Sequence, residues 1–233
     1  MSENASSTPA DKLLAGYTVI DFTRVLAGPY CTRLLADLGA RVIKIERPGE
    51  GDEIRYTVHQ LEEGRTDQSS YFVRINTGKQ GIAIDLAHPQ ARELVLDLVR
   101  EADVLVENFS PRVMPSLGLD YPFLKEINPS LVMVSITNFG QTGPYRNYKA
   151  NDIVEYALGG LMYIFGSYHR EPLKHALHQA QFKAGTNAAS AALMALYHQR
   201  LTGIGQHVDV SIQESIASAL RDVVNNYTNT GAI

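Results

Sequence analysis

The chain has 233 residues, 45% apolar and 20% charged, with 21 basic against 25 acidic side chains and a formal net charge of −4. That is enough apolar chain to bury a core without disulfides or metals, so general disorder is excluded, and the lack of a Lys/Arg block argues against nucleic acid or an anionic membrane as partner. The single cysteine, Cys31, excludes an intramolecular disulfide and a cysteine-cluster metal site, and with no long apolar run or signal-like start it points to the cytoplasm.

Residues 1–13 are polar and small and read as a disordered tail. From residue 14 onward, short β-branched runs alternate with helical periods, the pattern of α/β layers around a parallel sheet. Residues 17–22 are expected to form the first strand, 23–28 a loop and 29–38 a helix with Pro29 at its start and Gly39 at its end. A second strand follows at 41–46, then a polar stretch over 47–70 with no clear period and too long for a tight connection. The third strand falls at 81–86. The helix over 89–102 places Ala91, Leu94, Val95, Leu98 and Val99 on one face. A short strand at 104–107, helical pieces at 111–117 and 121–127, and a buried strand at 131–137 come next. That strand opens into a glycine-containing loop at 138–144. The last third gives helices at 152–164 and 182–201, the second rich in Ala and Gly, a strand at 206–211 and a final helix at 213–227. Ligands of open α/β sheets bind at the carboxyl ends of the strands, so the loops after strands one, two, four and five are the first candidates for a site.

Several generic chemistries are missing. The first loop holds one glycine where a dinucleotide fingerprint needs three, which argues against a nicotinamide or flavin site. Neither a phosphate-binding loop ending in Gly-Lys-Ser/Thr nor a Gly-x-Ser-x-Gly elbow occurs. His175 and His178 lack a carboxylate at ligand spacing, so no metal is assigned.

Specific motifs then accumulate: Arg24-Val25-Leu26-Ala27-Gly28-Pro29, Leu35-Ala36-Asp37-Leu38-Gly39-Ala40, Val42-Ile43-Lys44-Ile45-Glu46-Arg47-Pro48-Gly49, Asn76-Thr77-Gly78-Lys79, Val106-Glu107-Asn108-Phe109, Phe139-Gly140-Gln141-Thr142-Gly143-Pro144 and Gly205-Gln206-His207-Val208-Asp209-Val210-Ser211. In this order and spacing they resemble the family III CoA-transferases, the group containing formyl-CoA and carnitine CoA-transferases and the α-methylacyl-CoA racemases, over nearly all of residues 14–220. The resemblance implies a Rossmann-like, mostly parallel sheet flanked by helices, in a CoA-binding large domain over 14–233. It also implies that a small domain and returning tail, which complete an interlocked dimer in the family, are absent from this chain.

Carried onto this sequence, the family's CoA pocket falls on Leu26 and Ala27, Arg47, Asn76 and Lys79, then Asn108, Phe109 and Ser110, and finally Tyr148, Lys149 and Asn151. Arg47 and Lys79 suit CoA phosphates as cations. An Arg that often follows Lys79 is Gln80 here, and a basic residue sometimes found near Ser116 is missing. The transferases' nucleophilic Asp falls on Gln181, whose amide carries no negative charge, and the racemases' catalytic His falls on Asn151. Asp152 is the nearest carboxylate in family context, while Glu155 and Asp209 read as structural or exposed. The resemblance therefore implies movement of CoA between an acyl-CoA and a small carboxylic acid, with weak or absent activity from this chain alone. Its alternative is a catalytically silent CoA-binding lobe or partner subunit. A homo-oligomer or a complementing subunit is expected in either case.

Overall fold

Six short runs of β-branched and aliphatic residues make the strands: β1 Thr18–Asp21, β2 Arg41–Glu46, β3 Gln80–Ala83, β4 Val104–Glu107, β5 Val132–Thr137 and β6 His207–Ser211. In the computed structural model, which describes residues 12–57 and 59–231, they form one fully parallel sheet in the order β3-β2-β1-β4-β5-β6. The expected disordered tail lies outside the described residues except for its last two, and the Lys12 carbonyl accepts the Ala15 N–H at 3.1 Å. The strand order reverses between β1 and β4, which opens a crevice at their carboxyl ends.

Nine helices among the described residues cover the sheet: α1 Ala27–Asp37, α2 Ser70–Asn76, α3 Ala91–Glu101, α4 Val113–Ser116, α5 Tyr121–Ile127, α6 Asp152–Leu158, α7 Gln179–Thr202, α8 Ile212–Ala217 and α9 Arg221–Thr230. Strand side chains alternate between two cores, as period two requires when both faces are buried. Val19, Val104, Val106, Val132 and Val134 meet α1, α6, α7 and α8 on one face, and Ile20, Leu105 and Met133 meet α3 and α5 on the other.

Four elements depart from the sequence-based expectation. Helix α2 lies just past the aperiodic stretch, nucleated by Ser69, whose hydroxyl accepts the Phe72 N–H at 3.1 Å; a one-residue cap on a seven-residue helix leaves little periodic signal. Strand β3 stops at Ala83 and is exposed at all four positions, as fits a sheet edge. The helix expected over 152–164 ends at Leu158: Gly160 turns into the left-handed region at φ 82°, and Leu161–Ile164 forms a 3-10 turn. The helix expected over 213–227 is divided by the 3-10 turn Ser218–Leu220 into α8 and α9. On α3 the buried stripe is Ala91, Val95, Leu96 and Val99, with Leu94 turned outward.

The small residues of α7 have a plain purpose. Ala180, Ala184, Gly185, Ala188, Ala189 and Ala192 are buried, and the α7 backbone passes so close to α1 that a Cβ on Gly185 would lie 2.6 Å from the Ala27 carbonyl oxygen. Helix α1 is thereby held at the start of the first loop. Gly185→Ala gains helix propensity of up to about 1 kcal/mol but must push backbone apart, an overpacking cost of about 1–3 kcal/mol. The expected outcome is a net loss of stability in chemical denaturation.

Candidate active site

The first corner of the site grows from the carboxyl end of β1. Asp21 is fully buried there and accepts from the Thr23 N–H and hydroxyl, from the Thr32 hydroxyl at 2.7 Å and from the Lys79 ammonium at 2.9 Å. Burial would raise its carboxyl, yet the Lys79 and Lys44 ammoniums and the two threonine hydroxyls outweigh it and hold the pKa at about 2. Lys44 is equally buried, bonded to the Thr23 carbonyl at 2.7 Å and to Asp52 at 3.0 Å.

Lys79 does not stand free to meet a phosphate. Its Nζ also donates to the Pro29 carbonyl at 2.9 Å and to Asn76 Oδ1 at 2.8 Å, so three internal acceptors take its three protons, and burial pulls its pKa down to about 8. Asn76 is likewise turned inward, its amide donating to the Phe72 carbonyl at 3.0 Å. Both residues tie the turn after α2 to β1 and α1 through these internal bonds.

Over this buried base runs the loop from Thr23 to α1. Asn108, just past β4, grips it on both edges: its Oδ1 accepts the Arg24 N–H at 2.9 Å and its Nδ2 donates to the Arg24 carbonyl at 2.8 Å. Asp52 Oδ1 accepts the Val25 N–H at 3.1 Å. Val25 adopts φ 67°, a strained conformation for a β-branched residue that these clamps sustain. Leu26 and Ala27 are buried at the start of α1, Leu26 against Ile54 and Ile75. Expected as CoA contacts, both offer only backbone to a ligand.

A cavity of about 290 Å³ opens between this loop, the end of β2 and the segments after β3 and β4. Phe22, Leu86, Phe109, Val113 and Leu117 make its apolar wall, with Arg24 and Arg47 at its polar margin. The Arg24 guanidinium carbon lies 5.7 Å from the Phe109 ring centroid. Buried Glu107 accepts the Phe109 N–H at 2.8 Å and fixes its backbone. Arg47 is exposed and paired with Glu50 at 3.1 Å, an exposed carboxylate that a ligand can displace; Ser110 is exposed beside α4. Arg24 belongs to this wall and was not among the expected site residues.

The second corner lies where α6 meets the start of α7. Asn151 caps α6 through its Oδ1, while Tyr148, its ring tilted against Tyr145, and Lys149 are exposed on the loop before it. Asp152 is buried: its Oδ1 accepts the Ala180 N–H at 3.0 Å, and its Oδ2 lies 2.8 Å from Lys174 Nζ. One turn along α6, Glu155 is fully buried and receives the Gln181 amide on both oxygens, at 3.2 and 3.0 Å. The Asn138 amide, nitrogen inward, donates to Glu155 Oε1 at 3.0 Å and accepts from the Ala150 N–H at 2.9 Å. Burial, reinforced by Asp152 and only partly offset by Gln181, raises the Glu155 carboxyl to about 7. Glu155, expected to be structural or exposed, is buried. Its spacing from Asp152, three residues along a helix, was the available sign that both share one face.

Among the described residues no group of three or more His, Cys, Asp or Glu is placed to hold a metal ion, and no helix is long and apolar enough to cross a membrane. His175 packs instead on Phe165, with its Nδ1 3.2 Å from the Tyr156 hydroxyl.

Comparison with known proteins matches CoA-transferase family III over residues 14–233. The chain is 37% identical over 231 residues to an acyl-CoA transferase of Fusarium pseudograminearum, covering 97% of this chain and 51% of that protein. It is 38% identical over 221 residues to the succinate–glutarate CoA-transferase of Agrobacterium fabrum, covering 94% and 55%. The crystal structure of a CAIB/BAIF family protein from Brucella suis superposes with a TM-score of 0.90 at 38% identity, covering 95% of this chain and 58% of that one. The chain thus spans about half the length of the relatives it matches.

The Glu155 carboxyl, raised from an ordinary 4.5 to about 7, binds a proton more tightly in the folded chain than in the unfolded one. Its contribution to stability is whole below the unfolded value and is lost as pH climbs through the folded one. Glu155→Gln removes this dependence, so across that pH window the variant is expected to gain on the parent by up to roughly 3 kcal/mol. Denaturant midpoints of both proteins, measured across the window, check the direction.

Proposed function

Because the chain belongs to CoA-transferase family III, we propose that it moves coenzyme A between an acyl-CoA and a small carboxylic acid, holding the nucleotide end of CoA in the cavity at the carboxyl ends of β1, β2 and β4. The observation that carries this reading is the cavity's pairing of an aromatic wall with two guanidiniums at the point where the strand order reverses. Phe109 offers an adenine its face, and Arg24 and Arg47 offer the phosphates charge. The backbone N–H groups at the start of α1 add donors that need no particular side chain, a use that suits buried Leu26 and Ala27. Tyr148 and Lys149, exposed on the loop before α6, are read as further contacts for CoA. The reading uses no metal, nicotinamide or flavin.

Position 181 argues for weak turnover by the chain alone, since a carboxamide cannot attack a thioester. The same observation favours a second reading, in which the chain is a silent CoA-binding lobe whose partner subunit carries the reaction. Met194, Tyr197 and Leu201, exposed along the outer side of α7, support association with another copy or with such a subunit. The buried thiol of Cys31 and the composition support a cytoplasmic setting.

Calorimetric titration with CoA tests the proposal directly. Binding in the micromolar range is expected, and Phe109→Ala should weaken it about tenfold, the value of one lost base–aromatic stack of about 1–3 kcal/mol. Absence of binding, or binding untouched by removal of the Phe109 ring, overturns the assignment of the cavity.

A further inference from the structure

The α6–α7 corner holds two carboxylates on one helix face, and their surroundings are opposite. Asp152 is committed: the Lys174 ammonium sits on one oxygen and the Ala180 N–H on the other. Lys174 is itself fixed by the His175 and Leu177 carbonyls. A carboxylate so neutralised is a poor electron donor toward carbon, because the cation withdraws the lone pairs that would form the bond.

Among the described residues, no cation faces Glu155. Its oxygens are met by two neutral carboxamides, Gln181 and Asn138, the first on a half-buried side chain that can rotate away without breaking an ion pair. Burial without a counterion also makes its lone pairs more basic than those of an ordinary carboxylate, and basicity raises nucleophilicity within one class of nucleophile. Gln181 itself offers no anionic nucleophile, and its nitrogen lone pair is delocalised into the carbonyl.

We infer that Glu155 is the nucleophilic carboxylate of this chain, and that Gln181 is the positioning residue that holds it at the α6–α7 corner. The inference rests on the CoA-transfer reading. A Glu155 oxygen attacks the thioester carbonyl carbon of the donor acyl-CoA; a C–O bond forms, the C–S bond breaks, and CoA leaves as thiolate with the electron pair. The thiolate then attacks the Glu155 carbonyl carbon of the mixed anhydride, and the donor acid departs as its carboxylate with one former Glu155 oxygen. An acceptor carboxylate reverses these two steps on the resulting glutamyl-CoA thioester. No net proton and no oxidant or reductant is required.

The test uses the full chain with acetyl-CoA and, separately, succinyl-CoA, each trapped with hydroxylamine and mapped by peptide mass spectrometry. A hydroxamate on residue 155 is expected with at least one thioester. Glu155→Gln, which preserves side-chain shape and should bind CoA as the parent does, is expected to yield none. If the parent binds CoA calorimetrically but shows no trapped residue 155 with either thioester, or if the label falls on Asp152 or persists in Glu155→Gln, the inference is overturned while the CoA-binding reading stands. If CoA does not bind, both fall.

Discussion

The carboxyl edge of the sheet is organised around one buried negative charge, the carboxylate of Asp21. A lone carboxylate at zero exposure would cost several kcal/mol, so its survival there requires donors from every side. They come from four separate stretches of chain: the loop after β1, α1, the turn after α2, and β2 through the Lys44 charge. Satisfying Asp21 therefore fixes where those segments sit, and with them the rim of the cavity. Lys79 is the residue most changed in meaning by this constraint. A cation that suits a ligand phosphate when seen in sequence is a structural cation once three internal acceptors surround it. The polar chemistry left for a ligand falls to Arg24 and Arg47, which the network positions but does not consume.

Helix α7 links the two corners. Its small-residue face lets α1 approach to backbone contact, so the start of α1 under the first loop and the start of α7 beside Glu155 belong to one rigid pair. A larger residue at Gly185 would separate the loop that borders the cavity from the corner that holds the carboxylates. The alanine-rich composition of this segment is thus a geometric requirement of the site as much as a feature of the core.

Much of the fold was legible because its signal is local. Doubly buried parallel strands such as Val104–Glu107 and Val132–Thr137 read as short β-branched runs, and a helix such as Tyr121–Ile127 carries its own boundaries. What escaped depends on contacts distant in sequence. Helix α2 rests on a Ser69 cap and on Ile75 packed with Leu26 and Ile54, none of which marks a period. The break after Leu158 follows from the left-handed turn at Gly160, beside Leu220, and a lone glycine pair in sequence does not announce it. The motif-based placement brought Arg47, Asn108 and Phe109 to one crevice and Asn151, Asp152 and Gln181 to one corner. It passed over Arg24 and Glu155, whose partners lie far off in sequence: Arg24 meets the Phe109 ring, and Glu155 meets the Gln181 amide.

The amide at position 181 is best understood together with the acid at position 155. A charge at 181 would stand half-solvated at the start of α7, where exposed N–H groups stabilise an anion and lower its basicity. A charge at 155 stands in the interior, one turn into α6, where among the described residues amide dipoles answer it. Two carboxylates in direct contact would not both ionise at neutral pH, so a glutamate at 155 and an acid at 181 would share one proton between them. Gln181 resolves that conflict by presenting a donor where a second acid would present a like charge. The pair is therefore a self-consistent unit: the carboxamide makes the buried carboxylate tolerable, and the buried carboxylate gives the carboxamide a partner that fixes its rotamer. Among the described residues the corner retains one carboxyl group without a cationic partner, more deeply set than one at position 181 would be.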